Sequence, residues 1–206
     1  VDDGIPPELA ARIAVLPESY SGLGMIPAAK RNGIDVVRIA RGFGLNVIAH
    51  DAHPDNQFAE TMSISYQPFP ELLAKSDIVT LHVPALPETE HLLNTVTFAQ
   101  MKRGSVLINT SRGSVVETQA LVVALRSGQL AGAALDVLEE EGALYEEIEL
   151  LSRGFPKDQD IATILRNHIL IARDDVIITP HNAFNTTEAL QRIVDTTIEN
   201  IQAFLA

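Results

Sequence analysis

Five short apolar runs, rich in branched side chains and separated by helical patterns, constrain the fold of this chain more than any other feature. They cover residues 46–50, 77–82, 105–109, 131–137 and 176–179. Continuous apolar runs of this length read as strands buried on both faces, the kind found in parallel sheets. Between them lie helical patterns at residues 71–75, 96–102, 117–127 and 187–205, with Gly128 as a helix stop after Ser127. The last helix carries Leu190, Ile193, Val194, Ile198, Ile201 and Phe204 on one face at helical spacing, and Asn185 with Glu188 resembles a capping box at its start. Strand–helix alternation implies crossover units, so the expected architecture is a doubly wound α/β fold on a parallel sheet.

Sheets of this kind bind ligands at the carboxyl ends of their strands. The expected ends carry Asp51, His82-Val83-Pro84, Asn109-Thr110-Ser111-Arg112, Asp136 to Glu141, and Thr179-Pro180-His181. Polar residues therefore gather where the architecture predicts a site. The segment 142–175 breaks the rhythm and reads as a partly helical insertion between two strands.

Bulk properties narrow the partners. The 206 residues, 46% of them hydrophobic, can bury a substantial core. A formal charge of −12 disfavours nucleic acid and anionic membranes, since both repel an acidic surface. With no cysteine, disulfides, thiolate metal sites and cysteine nucleophiles are excluded, and a cytosolic location is the expectation. No apolar run approaches the roughly 20 residues of a membrane span. The acidic, proline-broken start is unlike a signal peptide, and its lack of Met suggests a processed, trimmed or partial chain.

Each candidate residue has a bland and a chemical reading. Arg112, in "NTSRGSVVET", is either a loop arginine or a carboxylate clamp, because its guanidinium offers paired donors. Gly113 beside it permits close backbone approach. His181, in "ITPHNAF", is either structural or a proton donor at a strand end. One of Glu139, Glu140 and Glu141 could hold an imidazole and raise its pKa, and spacing does not say which. Asp51 is either a turn or cap aspartate or a ligand for ribose hydroxyls; as a ligand it repels a 2′-phosphate and favours NAD over NADP. His82 reads as packed at its strand end, whereas His50, His53 and His91 read as surface residues. No histidine pair has metal-binding spacing, so no metal is expected.

The stretch "MIPAAKRNGIDVVRIARGFGLNVIAHD", residues 25–51, ends like the second strand of a dinucleotide-binding fold. Together with "LLAKSDIVTLHVPALPETEHLLN", "MKRGSVLINTSRGSVVETQALVVAL", "SGQLAGAALDVLEEEG" and "VIITPHNAFNTTEAL", it resembles the D-isomer-specific 2-hydroxyacid dehydrogenases, in particular the D-lactate dehydrogenase-like branch. The resemblance runs from about Val36 to Ala206 and implies a Rossmann-like, NAD-binding unit. It implies Arg112 on the substrate carboxylate, His181 as general acid/base and Glu141 as the acid paired with it. It also implies Asp51 on the adenosine ribose, with His82, Val83, Pro84 and Thr89 along the adenine side. Thr110, Ser111 and Asp136, together with Arg112 and His181, would lie near the nicotinamide. A small 2-keto or 2-hydroxy acid is the implied substrate, and a homodimer the implied assembly.

Two departures stand against the family pattern. The fingerprint G-x-G-x-x-G should precede "VVRIARGFG", yet only Gly33 matches, and Ala28 and Lys30 stand where glycines belong. One register makes Arg12–Leu16 the first strand and Gly22-Leu23-Gly24 its loop. The preferred reading is that a join at Asn32-Gly33 skips the first strand and two glycines. Residues 1–32 then read as a remnant of the substrate lobe with its connecting helix, and residues 33–206 as the NAD-binding domain. Second, most of the lobe that closes over substrate has no counterpart. Two functions follow as expectations: an NAD-dependent dehydrogenase of small D-2-hydroxy acids, or a non-catalytic binding or dimerisation module.

Overall fold

The computed structural model describes residues 12–16, 27–140, 161–182 and 186–205, with backbone alone for Arg12–Leu16, residues 27–32, Ile161, Ile193, Phe204 and Leu205. Seven strands occur among these residues: β1 (Arg12–Leu16), β2 (Asn46–Ala49), β3 (Ser65–Tyr66), β4 (Ile78–Leu81), β5 (Ser105–Asn109), β6 (Leu130–Leu135) and β7 (Val176–Ile178). They form one parallel sheet in the order β3-β2-β1-β4-β5-β6-β7. The order turns back on itself between β1 and β4, the switch point at which such sheets open a crevice for ligands. The helices are α1 (Pro27–Gly42), α2 (Asn56–Met62), α3 (Phe69–Lys75), α4 (Thr95–Gln100), α5 (Thr118–Arg126), α6 (Ile161–Ile171) and α7 (Thr187–Leu205). The doubly wound parallel fold expected from the alternation is the fold observed.

The structure corrects the expectation of a skipped first strand. Arg12–Leu16 sits in the middle of the sheet, with Ile13 in register with Val47 on one side and Ile78 on the other. The physical demand there is for an extended segment to satisfy the facing backbone groups of β2 and β4, and glycines play no part in meeting it. The boundary expected at residue 32 falls inside α1, which runs unbroken from Pro27 to Gly42. Gly22-Leu23-Gly24 lies outside the described residues.

Local chemistry sets the element ends. The Asp55 carboxylate accepts from the Phe58 amide at 3.0 Å and caps α2. Asn94 and Thr97 form a reciprocal capping box on α4. Gly128, with φ +68°, takes the left-handed position after α5, as expected of a helix stop. Asn185 lies outside the described residues; the Thr186 hydroxyl accepts from the Ala189 amide at the start of α7. The interruption after β6 contains α6, which packs on α5, while residues 141–160 lie outside the described part.

The core divides unevenly. A large cluster around Leu72, Leu81, Leu107, Leu121, Leu130 and Leu170 lies between the sheet from β4 to β6 and the helices α3, α4, α5 and α6. A smaller one, Val37, Ala40 and Val47, lies between α1 and β2. Along α7 the apolar face is not covered at its described side chains: Leu190, Val194, Ile198 and Ile201 are all exposed.

Candidate active site

Three strand ends, β5, β6 and β7, carry the residues with chemical potential, and contacts between their loops tie them to one another. After β5 the chain turns on buried Asn109. Its side-chain oxygen accepts from the Ser111 amide (3.0 Å) and hydroxyl (2.7 Å), and its amide donates to the Arg112 carbonyl (2.9 Å). Ser111 is therefore a buried part of the turn, and Thr110 is exposed. Arg112 is exposed at the sheet edge, with one guanidinium N–H donating to the Ser111 carbonyl at 2.7 Å. Gly113 lies so close to the loop after β6 that a Cβ there would sit 2.1 Å from the Leu138 carbonyl oxygen. Only glycine fits, and this contact locks the arginine's loop to the next strand end.

Asp136, buried at the end of β6, reaches across to the loop after β7. One of its carboxylate oxygens accepts from the Thr179 hydroxyl at 2.5 Å and from the Asn182 amide at 2.9 Å. These two bonds bracket His181, whose backbone is left-handed (φ +48°) and whose amide donates to the Thr179 carbonyl at 2.9 Å. A non-glycine residue at positive φ is uncommon and costs energy, so the surroundings must hold it there. The structure shows Asp136 bracing the histidine loop, alongside any part it plays at a nicotinamide. Arg112 and His181 thus occupy the same edge of the sheet, on strands separated only by β6. Glu141 lies outside the described residues.

Glu139 does hold an imidazole, as one of the three glutamates could, but its partner is His91: the carboxylate meets His91 Nε2 at 2.6 Å. His91 is accordingly half-buried and paired. His50 is also half-buried, its Nδ1 within 2.9 Å of the Gln67 carbonyl oxygen and its ring tilted against Phe69. The surface reading of these two histidines is thus corrected; His53 is exposed. Both partnerships join residues far apart in sequence, which spacing does not reveal.

At the other side of the switch point, Asp51 ends the segment after β2. It is 9% exposed, and its carboxylate accepts from the His53 amide at 2.8 Å, the geometry of an aspartate turn. Asp51 also lines a pocket with Gly33, Ile34, Val37, Asp55, Phe58 and Tyr66. Burial holds the Tyr66 phenol above its ordinary pKa, and the nearby Asp51 and Asp55 carboxylates add to the effect. The pocket thus combines two carboxylates with mostly apolar walls. Its two carboxylates oppose an added phosphate.

His82 follows β4 beside the switch point. It is buried against the Thr80 hydroxyl (3.0 Å), and desolvation lowers its pKa to about 4, so the ring is neutral at pH 7. Val83 and Pro84 continue the edge, half-buried. The Thr89 hydroxyl donates to the Pro84 carbonyl at 2.5 Å and accepts from the Leu86 amide at 2.9 Å, closing this loop on itself. Among the described residues, no cluster of three or more metal-ligating side chains occurs, and no helix is long and apolar enough to cross a membrane.

A doubly wound parallel sheet with an acid at the end of its second strand, and an arginine and a histidine on its far strand ends, defines a nucleotide-binding domain of the dehydrogenase class. Comparison with known proteins is specific: residues 22–183 match the family described as D-isomer specific 2-hydroxyacid dehydrogenase, NAD binding domain. The chain belongs to this family. It is 41% identical over 169 residues to a 2-hydroxyacid dehydrogenase homolog of Haemophilus influenzae, covering 82% of this chain and 48% of that protein. It is 36% identical to the D-lactate dehydrogenase of Escherichia coli, covering 82% and 49%. The crystal structure of D-lactate dehydrogenase from Aquifex aeolicus, complexed with NAD and lactic acid, superposes with a TM-score of 0.79 at 34% identity, over 95% of this chain and 53% of that one. The chain spans about half the length of the relatives it matches. The family cofactor is NAD.

Proposed function

We propose that this chain is the catalytic nucleotide-binding half of an NAD-dependent dehydrogenase acting on a small D-2-hydroxy acid or its 2-keto acid, of the D-lactate/pyruvate kind. The observation that supports this reading best is the bracing of His181. A histidine kept in a strained left-handed conformation by a buried carboxylate, on the same sheet edge as an exposed arginine, is an arrangement that stability alone does not require.

The roles follow from the chemistry of the side chains. NAD, when bound, supplies or accepts the hydride. Asp51 takes the ribose hydroxyls, and Val83 and Pro84 lie along the same edge. Arg112 pairs its remaining N–H donors with the substrate carboxylate, which fixes the keto carbon in place and draws charge toward the carbonyl oxygen. His181 gives a proton to that oxygen as reduction proceeds, or removes it in the opposite direction. Glu141 is the acid assigned to His181 as its carboxylate partner.

The test is titration of the purified chain with NADH, followed by pyruvate with absorbance read at 340 nm. Saturable binding with turnover supports the reading; no binding up to millimolar NADH sinks it. Given turnover, His181→Ala lowers the rate by roughly 10² to 10⁴ and removes its pH dependence. Arg112→Lys raises KM for the keto acid, because an ammonium lacks the paired donor geometry. A variant with wild-type kinetics would remove that residue from the mechanism.

A further inference from the structure

Glu139 stands three residues after Asp136 and two before Glu141, and its side chain is only 15% exposed. One carboxylate oxygen meets His91 Nε2 at 2.6 Å, and the other accepts from the Thr118 amide at 2.6 Å. Thr118 is the first residue of α5, and the residue before it, Glu117, makes no side-chain cap. The helix is therefore capped by a carboxylate from a distant part of the chain, where negative charge is also favoured by the helix dipole. The Glu139 carbonyl in turn accepts from the amide of fully buried Asn167, on α6, at 2.6 Å.

These bonds bear on Arg112. The His91 amide donates to the Ser114 carbonyl at 2.8 Å, the Leu93 amide to Val115 at 3.1 Å, and the Glu117 amide to Leu93 at 2.9 Å. Residues 91–93 are thus laced to the segment that follows Arg112. Gly113 meets the Leu138 carbonyl on the other side. Three segments, 91–93, 112–118 and 136–140, converge on the single Glu139 carboxylate. Arg112 is exposed and extended (φ −145°, ψ 144°), so its aim is set by the segments around it.

Resting on the dehydrogenase reading, we propose that Glu139 is the positioning residue for Arg112. It acts through His91, Thr118 and the Gly113–Leu138 contact to hold the guanidinium where a substrate carboxylate arrives. A residue that only stabilised the fold would weaken cofactor and substrate binding together. A positioning residue affects the substrate carboxylate selectively.

The experiment uses the whole chain with NADH at saturation and titrates oxamate, an unreactive 2-keto acid analogue, alongside hydrogen exchange read by mass spectrometry. Glu139→Ala is expected to weaken oxamate at least tenfold, to leave NADH affinity within twofold, and to speed exchange at residues 113–118 while residues 105–109 keep their protection. Glu139→Gln is expected to recover most of the loss, because its side-chain carbonyl still accepts from the Thr118 amide. Unchanged oxamate affinity in Glu139→Ala, unchanged exchange at 113–118, or an equal loss of NADH and oxamate overturns the proposal. Failure of the wild type to bind oxamate sinks the functional reading and this proposal with it. Normal wild-type binding with an unaffected variant sinks this proposal alone.

Discussion

The two sides of the switch point are held together differently. From β4 to β7 the strands rest on a continuous leucine-rich core, and the segments at their ends are joined by side-chain bonds from Asp136 and Glu139. Around β2 and α1 the described core is Val37, Ala40 and Val47, and the strand ends are joined chiefly by backbone pairing. The first side carries the residues assigned to substrate chemistry, which need fixed geometry. The second carries Asp51 and the pocket it lines. A sheet position can be filled by any extended apolar segment, whereas loops that carry chemistry need particular partners, so the two sides meet different demands.

Truncating each core tests this contrast most directly. Leu107→Ala, in the large cluster, is expected to cost about 2–5 kcal/mol. Val47→Ala, in the small one, is expected to cost about 1.5 kcal/mol, since two methyl groups are lost beside partly buried neighbours. Urea unfolding of both variants measures the difference, and equal costs would erase the distinction between the two sides.

The seam between them carries a titratable group. His82 has a folded pKa of about 4, below its unfolded value near 6.5. The unfolded chain therefore binds the extra proton first, and stability is highest above pH 6.5 and declines as pH falls toward 4. The full effect is roughly 3 kcal/mol. His82→Gln should flatten this part of the stability profile between pH 6.5 and 5. A variant as acid-sensitive as the wild type would show that His82 is not the group responsible.

The smallest expected effect lies at the surface of α3. The exposed Lys75–Glu71 pair, 2.8 Å apart and four residues apart in sequence, should contribute no more than about 0.5 kcal/mol. Lys75→Ala should shift the urea midpoint barely, and less in high salt. A loss above 1 kcal/mol would mean that the leucine-rich side depends on surface charge pairs as well as on its core.

Much of the scaffold was legible in the sequence. The strand Ser105–Asn109 and the helix Thr187–Leu205 fall where periodicity places them, and the stop at Gly128 was visible as a lone glycine after a helical run. The short β3 was not: two residues carry no periodicity. The strand at Arg12–Leu16 is hard to read from the sequence because Gly22-Leu23-Gly24 stands well beyond its end, although strand formation does not need those glycines. In the site, the kinds of residue at each strand end could be read from the chain. Their partners could not, since Glu139 with His91 and Asp136 with Thr179 are separated by 48 and 43 residues.

What the sequence determined by itself was the parallel architecture and the inventory at its carboxyl edge, because alternating apolar runs leave few ways to bury themselves and strand ends follow from strand positions. What only the tertiary structure decided was which carboxylate serves which loop, why Gly113 tolerates no side chain, and how His181 is kept in a strained backbone. Those are contacts between segments distant along the chain, fixed by packing at distances of a few ångströms that no local pattern encodes.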